Sequence, residues 1–231
     1  MTDQELDGYI RELGIAKDHI LREEAEMDFL DALSRTKISK KILFYGGTAL
    51  RLAYGSPRFS EDIDLLCAEE VTFSEFKELI NEVVRRYAGR FELRDIKGKR
   101  NTLFALIAVR DSRLKHAFSV KVELHRHIPK VSMKTELVLL RSPVSANAPL
   151  LLVPTLSELK RMKESALAGR KKARDIFDLW YIAQVSRQAF TVPDDAPQYG
   201  KREFSNELRV FLPHAYYPVI EQLYERTHPR H

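Results

Sequence analysis

The apolar run Ile42-Leu43-Phe44-Tyr45 ends in Gly46-Gly47, and Thr48 with the helix formers Ala49, Leu50 and Arg51 follows at once. Four apolar residues bounded by glycines read as a strand, a tight turn and the start of a helix. Tyr54-Gly55-Ser56-Pro57 closes that helix in turn residues, and Ile63 to Cys67 then reads as a second strand, expected to pair with the first. A strand–helix–strand unit of this kind commits the N-terminal half to a mixed α/β architecture.

The rest of the chain is organised around that unit. Residues 17 to 34 set Ile20, Leu21, Phe29, Leu30 and Leu33 at helical intervals among charged residues, which predicts an amphipathic helix after a shorter N-terminal one. A further amphipathic helix is expected near 73 to 87, followed by extended stretches at 90 to 96, 102 to 110 and 118 to 126. Pro143 to Pro154, with Asn147 and Pro149 between, marks the end of the sheet-bearing half. Residues 155 to 187 carry long helical patterns, and the remainder continues helical with Leu208, Phe211, Val219, Ile220 and Leu223 as core. No internal repeat or low-complexity tract interrupts this. The expected division is an α/β (α+β) domain over 1–150, with 1–35 as its helical lead-in, and a helical domain over 151–231.

At 231 residues and 44% hydrophobic content, such a chain can bury a real core. No run reaches the roughly 18 apolar residues of a membrane span, and the polar start MTDQELDG lacks the regions of a signal peptide. A cytoplasmic protein with no membrane partner is therefore expected. Cys67 is the single cysteine, which excludes an internal disulfide or a thiolate cluster. Lys and Arg exceed Asp and Glu by only 38 to 33, so a polyanion-facing surface would have to come from local clustering.

Asp62 and Asp64 lie two apart on the second expected strand, so both carboxylates project from one face while Ile63 and Leu65 take the other. Paired carboxylates repel unless a cation lies between them, and hard oxygen donors suit magnesium or manganese. A half-exposed strand alternating acidic and apolar residues would give the same pattern, so the motif draws its weight from context. Gly46-Gly47 sits at a strand-to-helix turn, where backbone N–H groups attract anions, and Thr48 adds a hydroxyl. The pattern G-x-x-x-x-G-K-[ST] is absent, which excludes a Walker-type ATPase. Glu123, in the extended stretch Phe118 to Leu124, could join from a neighbouring strand as a third carboxylate, or be a surface residue paired with Lys121. Three carboxylates would suit two metals roughly 3.5–4 Å apart. His125 and His127 share the face of Glu123 and are assigned to the rim, since no H-x-x-x-H spacing accompanies them.

Between Thr155 and Asp175 seven basic residues stand against three acidic ones. Helical spacing brings Lys163, Arg170 and Arg174 to one side, where Lys163 is expected to meet nucleotide phosphates and Asp175 to orient it or an arginine. Lys171 and Lys172 read as solvated, Arg174 and Asp178 as an intrahelical pair, and Ile176, Phe177, Leu179 and Trp180 as core.

Three blocks together resemble the nucleotidyltransferase toxins of the AbiEii/AbiGii type, found in abortive-infection and toxin–antitoxin systems. The first joins Phe44 to Arg51 with Arg58-Phe59-Ser60-Glu61-Asp62-Ile63-Asp64-Leu65, similar to G-G-T-x-L followed by R-x-S-x-D-I-D. The second is the strand of Glu123. The third runs from Lys163-Glu164-Ser165-Ala166-Leu167 into Arg170, Lys172, Arg174, Asp175 and Asp178. The resemblance covers about residues 40 to 182 and implies a nucleotidyltransferase-like mixed-sheet domain with a helical C-terminal domain. It also implies transfer of a nucleoside monophosphate from a nucleoside triphosphate (NTP) to an acceptor, RNA and in some relatives tRNA, with a possible cognate antitoxin. On it, Asp62, Asp64 and Glu123 would hold Mg2+ or Mn2+. Gly46, Gly47, Thr48, Arg58 and Ser60 would hold the triphosphate, with Lys163, Arg170, Arg174 and Asp175 assisting. Two other readings stay open: transfer to a protein hydroxyl, and a non-catalytic nucleotide- or RNA-binding module.

Overall fold

The computed structural model describes residues 1–127, 133–170, 172–193 and 196–228. Lys171, read above as solvated, lies outside them; Lys172 is exposed. Two helices open the chain, α1 (Asp3–Leu13) and α2 (Lys17–Ser34). Then come β1 (Ile42–Tyr45), α3 (Gly46–Tyr54), β2 (Asp62–Cys67), α4 (Phe73–Arg86), β3 (Phe91–Gly98), β4 (Thr102–Val109) and β5 (Phe118–His125). The strands form one mixed sheet in the order β1-β2-β5-β4-β3. β1 pairs antiparallel with β2, as expected, while β2 and β5 run parallel. β4 lies antiparallel to both β5 and β3.

Alternation on these strands sets the two faces. Ile63, Leu65, Val122 and Leu124 are all fully buried in the main core, against Phe29, Leu30 and Leu33 of α2 and Phe76 and Ile80 of α4. The opposite face carries Asp62 and Asp64. Helix α4 starts on a capping box, with Thr72 accepting from the Glu75 N–H and Glu75 accepting from the Thr72 N–H.

The amphipathic reading of α2 is corrected. Fourteen of its residues are buried, among them Glu23, Glu24, Glu26, Asp28 and Asp31. Arginines distant in sequence meet most of these acids: Arg51 on Glu23, Arg90 on Asp28 and Glu24, and Arg113 on Glu24 at 2.6 Å. A charge pattern that would mark a solvated face on an isolated helix is here a set of inward ion pairs.

The segment expected as a boundary contains a strand. β6 (Thr135–Leu139) and β7 (Leu150–Pro154) make a separate antiparallel pair, with β7 packed beside β1. Pro149 and Pro154 bracket β7 rather than break it, since Pro149 lies outside and Pro154 takes its last position. Leu151 and Val153 are buried, whereas Leu137, Leu139 and Leu150 share the outward face and stay exposed.

Four helices follow: α5 (Leu156–Arg170), α6 (Ala173–Val185), α7 (Lys201–Arg209) and α8 (Tyr217–Thr227). Leu167, Ile176, Phe177, Leu179, Phe204, Leu208, Ile220 and Leu223 build a second core among them, with Trp180 and Val219 half-buried against it. Phe211 packs instead on His19 of α2, and its carbonyl accepts from the Phe59 N–H. Leu50 of α3, Leu159 of α5 and Ile182 of α6 form a small apolar contact that seats α5 beside the start of α3.

Candidate active site

The parallel register of β2 and β5 decides the site. It sets Asp64 beside Glu123 and Asp62 beside Lys121, while Tyr45 of β1 flanks Asp64 on the other side. All five side chains project from the sheet face away from the main core. The Lys121 ammonium is shared, 3.1 Å from Asp62 Oδ2 and 3.0 Å from Glu123 Oε2. The Lys121–Glu123 pair is thus present, inside the carboxylate group rather than on an open surface. Burial pushes the Asp64 carboxyl above the usual range and the neighbouring Asp62 charge adds to this, with Lys163 and Lys121 pulling the other way. Burial likewise raises the Tyr45 phenol, reinforced by Asp64 and Glu123.

His125 is not confined to the rim. One of its ring nitrogens and one oxygen each from Asp64 and Glu123 lie within 4.8 Å of one another. His127, two residues on, is exposed.

The glycines are needed for close packing of side chains. Gly46 has φ +87°, and a Cβ there would collide with the Asp64 carboxylate, its Cγ only 3.0 Å away. At Gly47 a Cβ would stand 2.5 Å from Arg58 Nη2 and 2.9 Å from Ser60 Oγ. Ser60 is therefore held against the N-terminus of α3, where unpaired backbone N–H groups favour an anion.

Across from the carboxylates stands α5. Lys163 is 6% exposed, and its ammonium lies 2.6 Å from Asp178 and 3.2 Å from Asp175. Arg170 grips Asp175 with two bonds of 2.7 and 2.8 Å, and Arg58 grips Asp178 likewise at 2.7 and 2.8 Å. Three cations thus surround two fully buried carboxylates. Burial pushes Asp178 up, but Arg58 and Lys163 outweigh it and hold the carboxyl at about 2. Burial also works against Asp175, yet Arg170 and Lys163 keep it below the usual range. Arg174 differs: its buried Nε has no partner, and no ion pair engages it among the described residues. The intrahelical Arg174–Asp178 pair expected above is replaced by the long-range one to Arg58.

These groups line one cleft of about 370 Å³, bounded by Tyr45, Gly46, Gly47, Asp62, Asp64, Lys121, Glu123 and His125 on the sheet side. Lys163, Arg170 and Arg174 face it from the helices, with apolar Leu159, Met162 and Ala166. Four residues read as touching the nucleotide do not line it: Ser60, which packs against Gly47, and Thr48, Arg58 and Asp175. Thr48 is buried and its hydroxyl donates to the Asp62 carbonyl; Arg58 is sealed on Asp178; Asp175 is enclosed by Lys163 and Arg170. Their placement makes them positioning groups for β2, Lys163 and Arg170. Lys121 and His125 are the additions the sequence reading missed as site residues, although both follow from the same alternation that marked Glu123.

A profile of the family described as nucleotidyl transferase AbiEii toxin, type IV toxin–antitoxin system, matches residues 28–215. The chain belongs to this family. AbiEii membership makes it a nucleotidyltransferase toxin and implies an NTP substrate and a cognate antitoxin. Among solved structures, JHP933 from Helicobacter pylori matches with TM-score 0.53 and 20% identity, over 74% of this chain and 68% of that one. A putative nucleotidyltransferase from H. pylori matches with TM-score 0.54 and 18% identity, over 94% and 100%. At these identities the likeness is one of fold, and it agrees with the AbiEii assignment. Among curated proteins, none matches. Donor atoms of Asp64, Glu123 and His125 lie close enough together to fit a divalent cation, and Asp62 projects from the same sheet face. No described helix is long and apolar enough to cross a membrane.

Proposed function

We propose that this AbiEii-family chain moves a nucleoside monophosphate from an NTP onto the terminal hydroxyl of an RNA, of the tRNA class, in the cytoplasm. The observation that carries the reading is the opposition of Asp62, Asp64 and Glu123 to Lys163, Arg170 and Arg174 across one cleft. Carboxylates alone would repel RNA and nucleotide, and cations alone would bind them without chemistry; facing each other, they suit a metal-bound triphosphate.

Asp62, Asp64 and Glu123 would hold Mg2+ or Mn2+, which when bound supplies charge neutralisation at the phosphoryl oxygens. Lys163, Arg170 and Arg174 take the negative charge of the triphosphate, with the α3 N-terminus, against which Ser60 packs, adding donors. The acceptor hydroxyl oxygen bonds to the α-phosphorus, the bond to the bridging oxygen breaks, and pyrophosphate leaves. Glu123 serves either as the third metal carboxylate or as the base that takes the hydroxyl proton; in the former case the proton leaves to water. Residues 151–231, taken as a helical domain, complete the cleft by supplying Lys163 and both arginines.

Purified protein with a divalent cation, total RNA and each α-labelled NTP in turn tests this, with Asp62→Ala in parallel. Label entering small RNA from one preferred nucleotide, and absent with Asp62→Ala, is expected. Label entering protein would replace the RNA acceptor with a protein hydroxyl. Bound nucleotide or RNA without label transfer in magnesium or manganese would leave only a binding module.

A further inference from the structure

The sheet face that carries the carboxylates ends in a nitrogen donor. Strand alternation from Lys121 through Glu123 to His125 lines up an ammonium, a carboxylate and an imidazole on one face of β5. At the Lys121 end the ammonium compensates Asp62 and Glu123. At the other end Asp64, Glu123 and His125 each offer a donor atom, all three within 4.8 Å of one another. The Tyr45 ring meets the His125 imidazole edge-on, their centroids 6.0 Å apart, and limits its tilt. His125 itself is half-buried in the wall of the cleft.

We propose that His125 is a direct ligand of the resident cation, and that the Asp64–Glu123–His125 set makes the site prefer manganese to magnesium. The argument is one of donor chemistry. Magnesium demands near-ideal octahedral oxygen coordination and parts reluctantly with its waters. An imidazole nitrogen favours first-row transition ions, and two carboxylates beside it keep manganese acceptable. An all-oxygen set would not discriminate in this direction. The inference rests on the transferase reading of the cleft but concerns only which ion that cleft selects.

The full chain is titrated with Mn2+ alone and read by electron spin-echo envelope modulation, then competed with Mg2+. Nitrogen coupling from one imidazole is expected. In His125→Asn the coupling disappears and the manganese-over-magnesium preference falls about tenfold, the low end for groups that tune a metal site. His127→Asn leaves both unchanged. Circular dichroism and thermal melts confirm that each variant folds, and His125→Gln repeats the measurement with a longer oxygen donor. Bound manganese without nitrogen coupling, or an unchanged preference in both His125 variants, overturns the proposal. The two readings fail separately. RNA labelling supported equally by both ions, without nitrogen coupling, removes the ligand role of His125 and leaves the transferase. Nitrogen-coupled manganese with no label transferred from any NTP removes the transferase and leaves the ligand.

Discussion

Asp178 and Arg174 show how differently two charged residues on one helix behave. Asp178 is fully buried and engaged by Arg58 and Lys163, so its removal would leave the buried Arg58 without a carboxylate and Lys163 with Asp175 alone. Asp178→Ala is expected to cost about 3–5 kcal/mol in urea unfolding, the range for breaking a buried ion pair from one side. A loss under 1 kcal/mol would mean that water reaches Arg58 freely. Arg174 has a buried Nε with no partner among the described residues and faces the cleft. Arg174→Gln should leave the melting temperature nearly unchanged while weakening NTP binding by about 1.5–3 kcal/mol, roughly tenfold or more in KM. An unaltered KM would take Arg174 out of phosphate recognition.

At the scale of elements, the junction of β1 and α3 carries the tightest constraint. Its Gly46 combines a left-handed backbone with the close approach of Asp64, a requirement the sequence shows only as a glycine pair. Gly46→Ala is expected to destabilise by about 1–3 kcal/mol and also to displace the Asp64 carboxylate, so cation affinity falls with stability. Gly8→Ala, where a Cβ meets nothing within 4 Å, is the matched control and should do neither. Helix α2 teaches the converse lesson. Its acids are unremarkable in sequence, and only the arrival of Arg51, Arg90 and Arg113 from elsewhere turns them inward.

Across the whole molecule, buried carboxylates shifted in opposite directions set the pH response. Asp178, held at about 2, and Asp175, also lowered, contribute stability that is full above their ordinary range near 4 and is lost as pH falls through about 2. For Asp178 this amounts to on the order of 2 kcal/mol. Asp28 acts in the opposite sense. Burial outweighs Arg90 and raises its carboxyl to about 6, so the folded state keeps a proton that the unfolded chain gives up near 4. Stability from Asp28 therefore declines as pH rises from about 4 to about 6; Asp64, raised by burial and by Asp62, and Glu26, raised well above its ordinary range by burial and by Glu23, add to that decline. Urea midpoints of the metal-free chain should rise from pH 2 to 4 and fall toward 6, with Asp28→Asn making the second limb shallower while Glu26 and Asp64 keep it falling. A midpoint that climbs steadily to pH 7 in both proteins would refute this balance. A divalent cation should reverse part of the decline, because it favours the ionised form of Asp64.

The sequence by itself determined what short-range rules govern. Period-two alternation fixed which side Asp62, Asp64 and Glu123 would occupy, glycines at 46 and 47 marked the strand-to-helix turn, and the motif blocks led to the family. The tertiary structure alone decided the order and direction of the strands beyond the β1–β2 pair. Parallel pairing of β2 with β5 brought Asp64 to Glu123 and drew Lys121 and His125 into the same group, a register no local pattern encodes. It also sent Arg58 to Asp178 across 120 positions, in place of the nearer Arg174. Buried ion pairs form where packing excludes water and leaves no cheaper partner, and that depends on the assembled fold rather than on spacing along the chain.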